Sequence, residues 1–139
     1  MTATRPHASG APGYSETWPS EPETAGRSRQ LVKAALNTWN LNGDVVERAV
    51  LVISELVTNS VQHSGSKLLR LSVTRIAPGV VRLSVTDKSR KKPEIQAAGL
   101  SDESGRGLHL VDLLADDWGV VERGFGKTVY ADLNLEAPG

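Results

Sequence analysis

Apolar and polar positions divide the chain into segments of two different periods. Leu31, Val32, Ala35, Leu36 and Trp39 recur at helical spacing and predict a first helix. Ser20, with Pro22 and Glu23 behind it, marks the helix start as a capping box. The stretch ETWPS before it reads as a short first strand. After the link NLNG, Asp44 is an expected N-cap with Glu47 three residues on, and a second helix runs to about His63, closed by Gly65. The period then changes to two. In LLRLSVTRI, Leu69, Leu71 and Val73 alternate with Arg70, Ser72 and Thr74; after the turn APG, Val81, Leu83 and Val85 alternate with Arg82, Ser84 and Thr86. Residues 88–104 are polar and have no convincing period, and a loop that long in a compact domain is usually functional or mobile. A third helix, GLHLVDLLADD, follows SGRG. DWGVVER and KTVYADLNL, separated by GFG, read as a hairpin with Val129, Ala131, Leu133 and Leu135 on one face. The expected fold is α/β of the α+β kind, a two-layer sandwich with a mostly antiparallel sheet and its helices on one face. Residues 1–14, rich in Thr, Ala, Pro, Gly and Ser, are expected to be a disordered tail, leaving 15–136 as a single domain.

Composition narrows the function classes. Hydrophobic residues make up 39% of 139 residues and aromatics only 4%, so the expected core is aliphatic. Lys+Arg and Asp+Glu number 16 each, a balance that argues against a nucleic-acid binder driven by phosphate attraction, although RKK at 90–92 forms a local basic patch. Without cysteine there is no disulfide, no thiolate metal site and no Cys nucleophile. No apolar run reaches the roughly 18–20 residues of a membrane span, and the N-terminus lacks the apolar segment of a signal peptide. A cytoplasmic protein with no membrane association is the expectation.

Four places depart from a purely structural pattern. On the second helix Val45, Ala49, Val52, Ile53, Leu56 and Val57 form an apolar stripe, and Glu55 and Asn59 stack one turn apart at its rim. An Asn amide oxygen suits Mg²⁺, which takes few protein ligands and keeps its waters. A Glu one turn earlier can order such a water or take a proton from an attacking hydroxyl; an exposed polar face is the plain alternative. Asp87 shares a strand face with Val81, Leu83 and Val85, so a carboxylate stands on the core side and needs hydrogen-bond donors. An exocyclic purine amine or a backbone donor would serve. In SGRGL, Gly105 and Gly107 precede a helix, where open backbone amides favour anions. GFGKT at 124–128 needs no role beyond a hairpin turn. Ser60 falls in the middle of the apolar stripe, and its hydroxyl needs a partner, with the preceding helical turn the candidate.

ELVTNSVQH, then VTD at a strand end, a long loop, SGRGLHLV and GKTVYADL follow the motif order of the GHKL, or Bergerat, ATP-binding fold. The resemblance covers about residues 15–135. With SGRGLHLVDLLADDWGV and the short chain, it is most similar to the free-standing bacterial anti-sigma-factor serine/threonine kinases of the RsbW and SpoIIAB type. The resemblance implies ATP and Mg²⁺ as cofactors. Asn59 would hold Mg²⁺ against the phosphates, Glu55 would be the catalytic base, and Asp87 would accept from the adenine amine. Residues 88–104 would form the ATP lid. Gly105, Arg106, Gly107 and Leu108 would line the phosphate side, and Thr128 would lie beside Asp87 near the adenine. His63 matches a family His that props the helix end. The adenine box departs from the family's DxGxG, since KSRKKP follows Asp87 without a glycine, and Ser60 replaces a small Ala.

The function implied is an ATP-dependent regulatory protein kinase that phosphorylates a small antagonist protein and sequesters a sigma factor, thereby regulating transcription. The kinases it resembles are often homodimers. The alternative is a non-catalytic nucleotide-dependent protein-binding module. A detached histidine-kinase ATPase domain ranks behind both, since no helical hairpin with a phosphoacceptor His precedes the fold. The chain is also expected to be too short for the ATP-driven clamps of gyrase and heat-shock chaperones.

Overall fold

The computed structural model describes the backbone of residues 5–6, 13–89 and 103–134, and side chains within 13–89 and 108–134. Its strands are β1 (Arg5–Pro6), β2 (Gly13–Pro19), β3 (Leu68–Ala77), β4 (Val80–Asp87), β5 (Asp117–Arg123) and β6 (Gly126–Asn134). Its helices are α1 (Thr24–Thr38), α2 (Asp44–His63) and α3 (Glu103–Leu114). The strands form one sheet in the order β1-β2-β3-β4-β6-β5, with every neighbouring pair antiparallel. The expected α+β sandwich is the observed one, with a two-residue edge strand added at β1.

Period two decides which side chains enter the core. Leu69, Leu71 and Val73 on β3, Val81, Leu83 and Val85 on β4, and Val129, Ala131 and Leu133 on β6 are buried on the face that carries the helices. Against them α2 buries Ala49, Val52, Ile53, Leu56 and Val57, and α1 buries Leu31, Val32, Ala35 and Leu36. Burial of each such aliphatic side chain contributes about 1.5–3 kcal/mol, so this layer is the main source of stability. The opposite sheet face is polar and internally paired. Ser15 and Ser72 hydroxyls lie 2.9 Å apart, and Arg82 grips Asp132 at 2.7 and 2.9 Å while its guanidinium sits 4.2 Å from the Tyr130 ring centre.

The helix ends depart from expectation in three ways. α1 begins at Thr24, not Ser20, and Glu23 occupies its N-cap without a side-chain cap. Ser20 instead donates its N–H to the Lys67 carbonyl, a bond that extends the β2–β3 ladder by one step and removes the residue from a capping box. On α2 the cap is Gly43, at φ 73°, and Asp44 is the first helical residue, paired with Arg48 at 2.9 Å. Asp44 and Glu47 still favour that end through the helix dipole. α3 starts at Glu103, so Ser104–Gly107 continue the helix rather than precede it. α3 packs against α2 and buries Leu108 and Val111, which outweighs the roughly 1 kcal/mol each glycine costs in a helix. Gly65, at φ 69°, closes α2 as its sequence position predicts. Arg5–Pro6 pairs with β2 within the segment expected to be a tail, and β2 itself starts at Gly13. Among the described residues, no helix is long and apolar enough to cross a membrane.

Candidate functional site

Glu55 and Asn59 both lie half-buried on the long helix α2, on the rim of its apolar face. Among the described residues no hydrogen bond or ion pair engages either side chain. Burial pushes the Glu55 carboxyl above its ordinary value, because a partly desolvated carboxylate loses hydration. An acid and an amide one turn apart, neither with a partner among the described residues, form an oxygen donor set suited to a hydrated divalent cation.

One residue beyond Asn59, Ser60 is buried among the apolar side chains of α2. Its hydroxyl donates to Asp87 Oδ2 at 2.6 Å, across the gap between α2 and the end of β4. The preceding helical turn is therefore not its partner. A charge-assisted bond is stronger than a bond back to a helix carbonyl, and Asp87 faces the same core. Asp87 is only 3% exposed. Its Oδ1 accepts the Ser89 backbone N–H at 2.9 Å, and Lys127 Nζ reaches Oδ1 at 2.9 Å and Oδ2 at 3.1 Å. The lysine is itself 5% exposed, so both charges are buried and each is compensated by the other.

Thr128 does not lie beside Asp87. In the β4–β6 register Asp87 is opposite Lys127, and Thr86 is opposite Thr128. Alternation sends Thr128 to the polar face, where its hydroxyl lies 2.7 Å from that of Thr86 and accepts from Arg123 Nε at 3.1 Å. Lys127 takes the place expected for it. Leu108 is buried by the packing of α3, so its side chain is a core residue. Gly105, Arg106 and Gly107 lie in the first two turns of α3, and their side-chain surroundings fall outside the described residues. Of the segment 88–104 expected to be a lid, 90–102 fall outside as well. His63 ends α2 and is exposed.

A glycine sets this geometry. A Cβ on Gly126 would stand 2.1 Å from the Asp87 carbonyl oxygen and 2.5 Å from Lys88 Cα. Only a residue without a side chain lets β6 start this close to the end of β4, which brings Lys127 opposite Asp87.

The family model for the histidine kinase-like ATPase domain matches residues 18–132, from the end of β2 to the end of β6. The chain belongs to this family. It is 36% identical over 91 residues to uncharacterized protein SCO4941 of Streptomyces coelicolor, across 62% of this chain and 85% of that protein. Its fold is similar to the structure of the RsbU and RsbW domains of Rv1364c from Mycobacterium tuberculosis, with a TM-score of 0.69 at 20% identity. That match covers 91% of this chain and 33% of the other. The histidine kinase domain of a blue-light activated histidine kinase from Erythrobacter litoralis matches at a TM-score of 0.50 and 24% identity, over 84% of this chain and 61% of that one. The chain thus spans a third and about three-fifths of the two solved proteins.

In this ATPase domain the GHKL ATP-binding fold is the observed one, and Asn59 directly precedes Ser60, whose hydroxyl ties α2 to Asp87 at the end of β4. Lys127 was missed by sequence reasoning, yet its signal was present. It shares the alternation of Val129, Ala131 and Leu133 and so places a cation on the core face, by the same logic that singled out Asp87.

Proposed function

We propose that the chain is an ATP-dependent regulatory serine/threonine protein kinase of the anti-sigma-factor type. It would use Mg-ATP to phosphorylate a small antagonist protein and bind a sigma factor or similar partner in its other state. The observation that carries this is the Glu55–Asn59 pair, two polar side chains without partners among the described residues, on the helix whose next residue is tied to Asp87. The family supports nucleotide use, and the likeness of fold to a protein with an RsbW domain supports the regulatory setting.

Asn59 would hold Mg²⁺ through its amide oxygen, and the ion supplies charge neutralisation at the phosphates when bound. The fit rests on the donor set, one neutral oxygen with a carboxylate a turn away, both half-buried on one helix. The partner's hydroxyl oxygen attacks the γ-phosphorus, the bond to the bridging oxygen breaks, and ADP leaves. Glu55 takes the hydroxyl proton, and its upward-displaced carboxyl makes it a stronger base than an exposed Glu. Backbone amides near Gly105–Gly107 would add donors to the phosphates, in a reaction that needs mainly positioning and charge stabilisation. The protein is expected to act in the cytoplasm, without membrane or direct nucleic-acid contact.

Calorimetry with ATP on wild type and Asn59→Ala, with and without Mg²⁺, tests the site. Wild type should bind with Mg²⁺, and the variant should lose about tenfold or more of that affinity, or about 1.4 kcal/mol. Wild type that ignores nucleotide overturns the proposal. Glu55→Ala then separates kinase from non-catalytic binding module: the kinase loses phosphate transfer to its antagonist, while nucleotide binding survives.

A further inference from the structure

The charge pair at the end of β4 bears on which nucleotide the site accepts, a question that rests on the nucleotide-binding proposal above. A carboxylate offers about four lone-pair directions, and those of Asp87 are all in use. Oδ1 receives Ser89 N–H at 2.9 Å and Lys127 Nζ at 2.9 Å; Oδ2 receives Ser60 Oγ at 2.6 Å and Lys127 Nζ at 3.1 Å. Lys127 has three N–H donors. Two serve Asp87, and among the described residues the third meets only the Ser89 carbonyl oxygen, at 3.5 Å, the outer limit of a hydrogen bond. Spare hydrogen-bonding capacity at this corner is therefore a donor, on the lysine, and not an acceptor, on the aspartate.

That reverses the chemistry of a lone carboxylate. A lone carboxylate welcomes the 6-amino group of adenine and repels a 6-oxo group, since two acceptors would face each other. An ammonium donor beside it meets an acceptor: O6 of hypoxanthine or guanine, or N1 of adenine. We propose that Lys127 is the base-reading residue of this chain, and that the site takes 6-oxopurine nucleoside triphosphates on equal terms with ATP. Asp87 then acts as a positioning residue. With Ser60 and the Ser89 N–H it fixes the ammonium at the strand end, where the register of β4 and β6 places it. Gly126 is part of the same device, because its bare backbone permits that register.

The test compares ATP with inosine triphosphate, which differs from it only at position 6 and in the adjacent N1 proton. With Mg²⁺ and the full chain, calorimetric Kd values for the two should agree within about threefold. Lys127→Met frees two acceptor directions on Asp87, so the variant should favour ATP over inosine triphosphate by about tenfold or more. Wild type that prefers ATP by more than about tenfold, or a variant that weakens both nucleotides equally, overturns the role of Lys127 while leaving nucleotide binding intact. Wild type that binds neither removes the nucleotide-binding proposal and this one together. A thermal melt shows whether Lys127→Met is folded; if it is not, the wild-type ratio decides alone.

Discussion

Glu55 is the residue whose environment and proposed chemistry are most directly linked. Burial raises its carboxyl pKa without a compensating partner among the described residues, so the fold favours its neutral form. Any stabilisation from that group is present below its unfolded value and is lost as pH rises through the folded one. Glu55→Gln should therefore melt higher than wild type at pH 7–8, and the gap should close as the pH falls toward about 4. A gap that is constant with pH sinks this account of Glu55. Kinase activity should move the opposite way, rising through the displaced pKa as the base ionises, and the variant should lose it. Ser60 offers an independent check. Ser60→Ala removes a charge-assisted bond to a buried acid and should cost about 1.5–3 kcal/mol by denaturant titration. A cost near zero would mean that Asp87 is held by Lys127 and Ser89 alone.

Elements are held in register by glycines of two different kinds. Gly65 is needed for its backbone, since φ 69° strains a side chain although nothing stands within 4 Å of a Cβ there. Gly65→Ala should cost roughly 1–2 kcal/mol and leave the site unchanged. Gly126 is needed for space, because a Cβ would collide with backbone on β4 and the following Lys88. Gly126→Ala must push β6 away from Asp87, so it should both lower the melting temperature and disturb the Asp87–Lys127 pair. Amide exchange near Asp87 should accelerate in Gly126→Ala and stay at the wild-type rate in Gly65→Ala. Equal exchange in the two variants would remove the distinction. Element boundaries were the least legible part of the chain for a related reason. Ser20 and the glycines before Leu108 carry local signals for a cap and a loop, but the β2–β3 ladder recruits Ser20 and helix packing extends α3 back to Glu103.

In the whole molecule, two layers bring the end of α2 against the ends of β4 and β6, and the candidate site lies where they meet. If Mg-ATP binds there, it stabilises the folded chain by mass action: at about 100 times Kd the gain is roughly 2.7 kcal/mol, read as a higher melting temperature. That shift should vanish in Asn59→Ala and require Mg²⁺ in wild type; an equal shift in both places the nucleotide elsewhere. Periodicity by itself determined the layers, the buried face of each strand, the long helix with its Glu55–Asn59 rim, and the core-side position of Asp87. These follow from repeats of 3.6 and 2 residues, which every side chain obeys locally. The motif order carried the GHKL fold as well. Tertiary structure alone decided what the buried polar groups bond to. Ser60, Asp87, Ser89 and Lys127 come from three segments, and no local rule pairs them. Thr128 was misplaced because it is adjacent in sequence to the position that matters, and on a strand one residue is the difference between two faces. Lys127 reaches Asp87 because Gly126 lets two backbones approach, a distance set only when the sheet assembles.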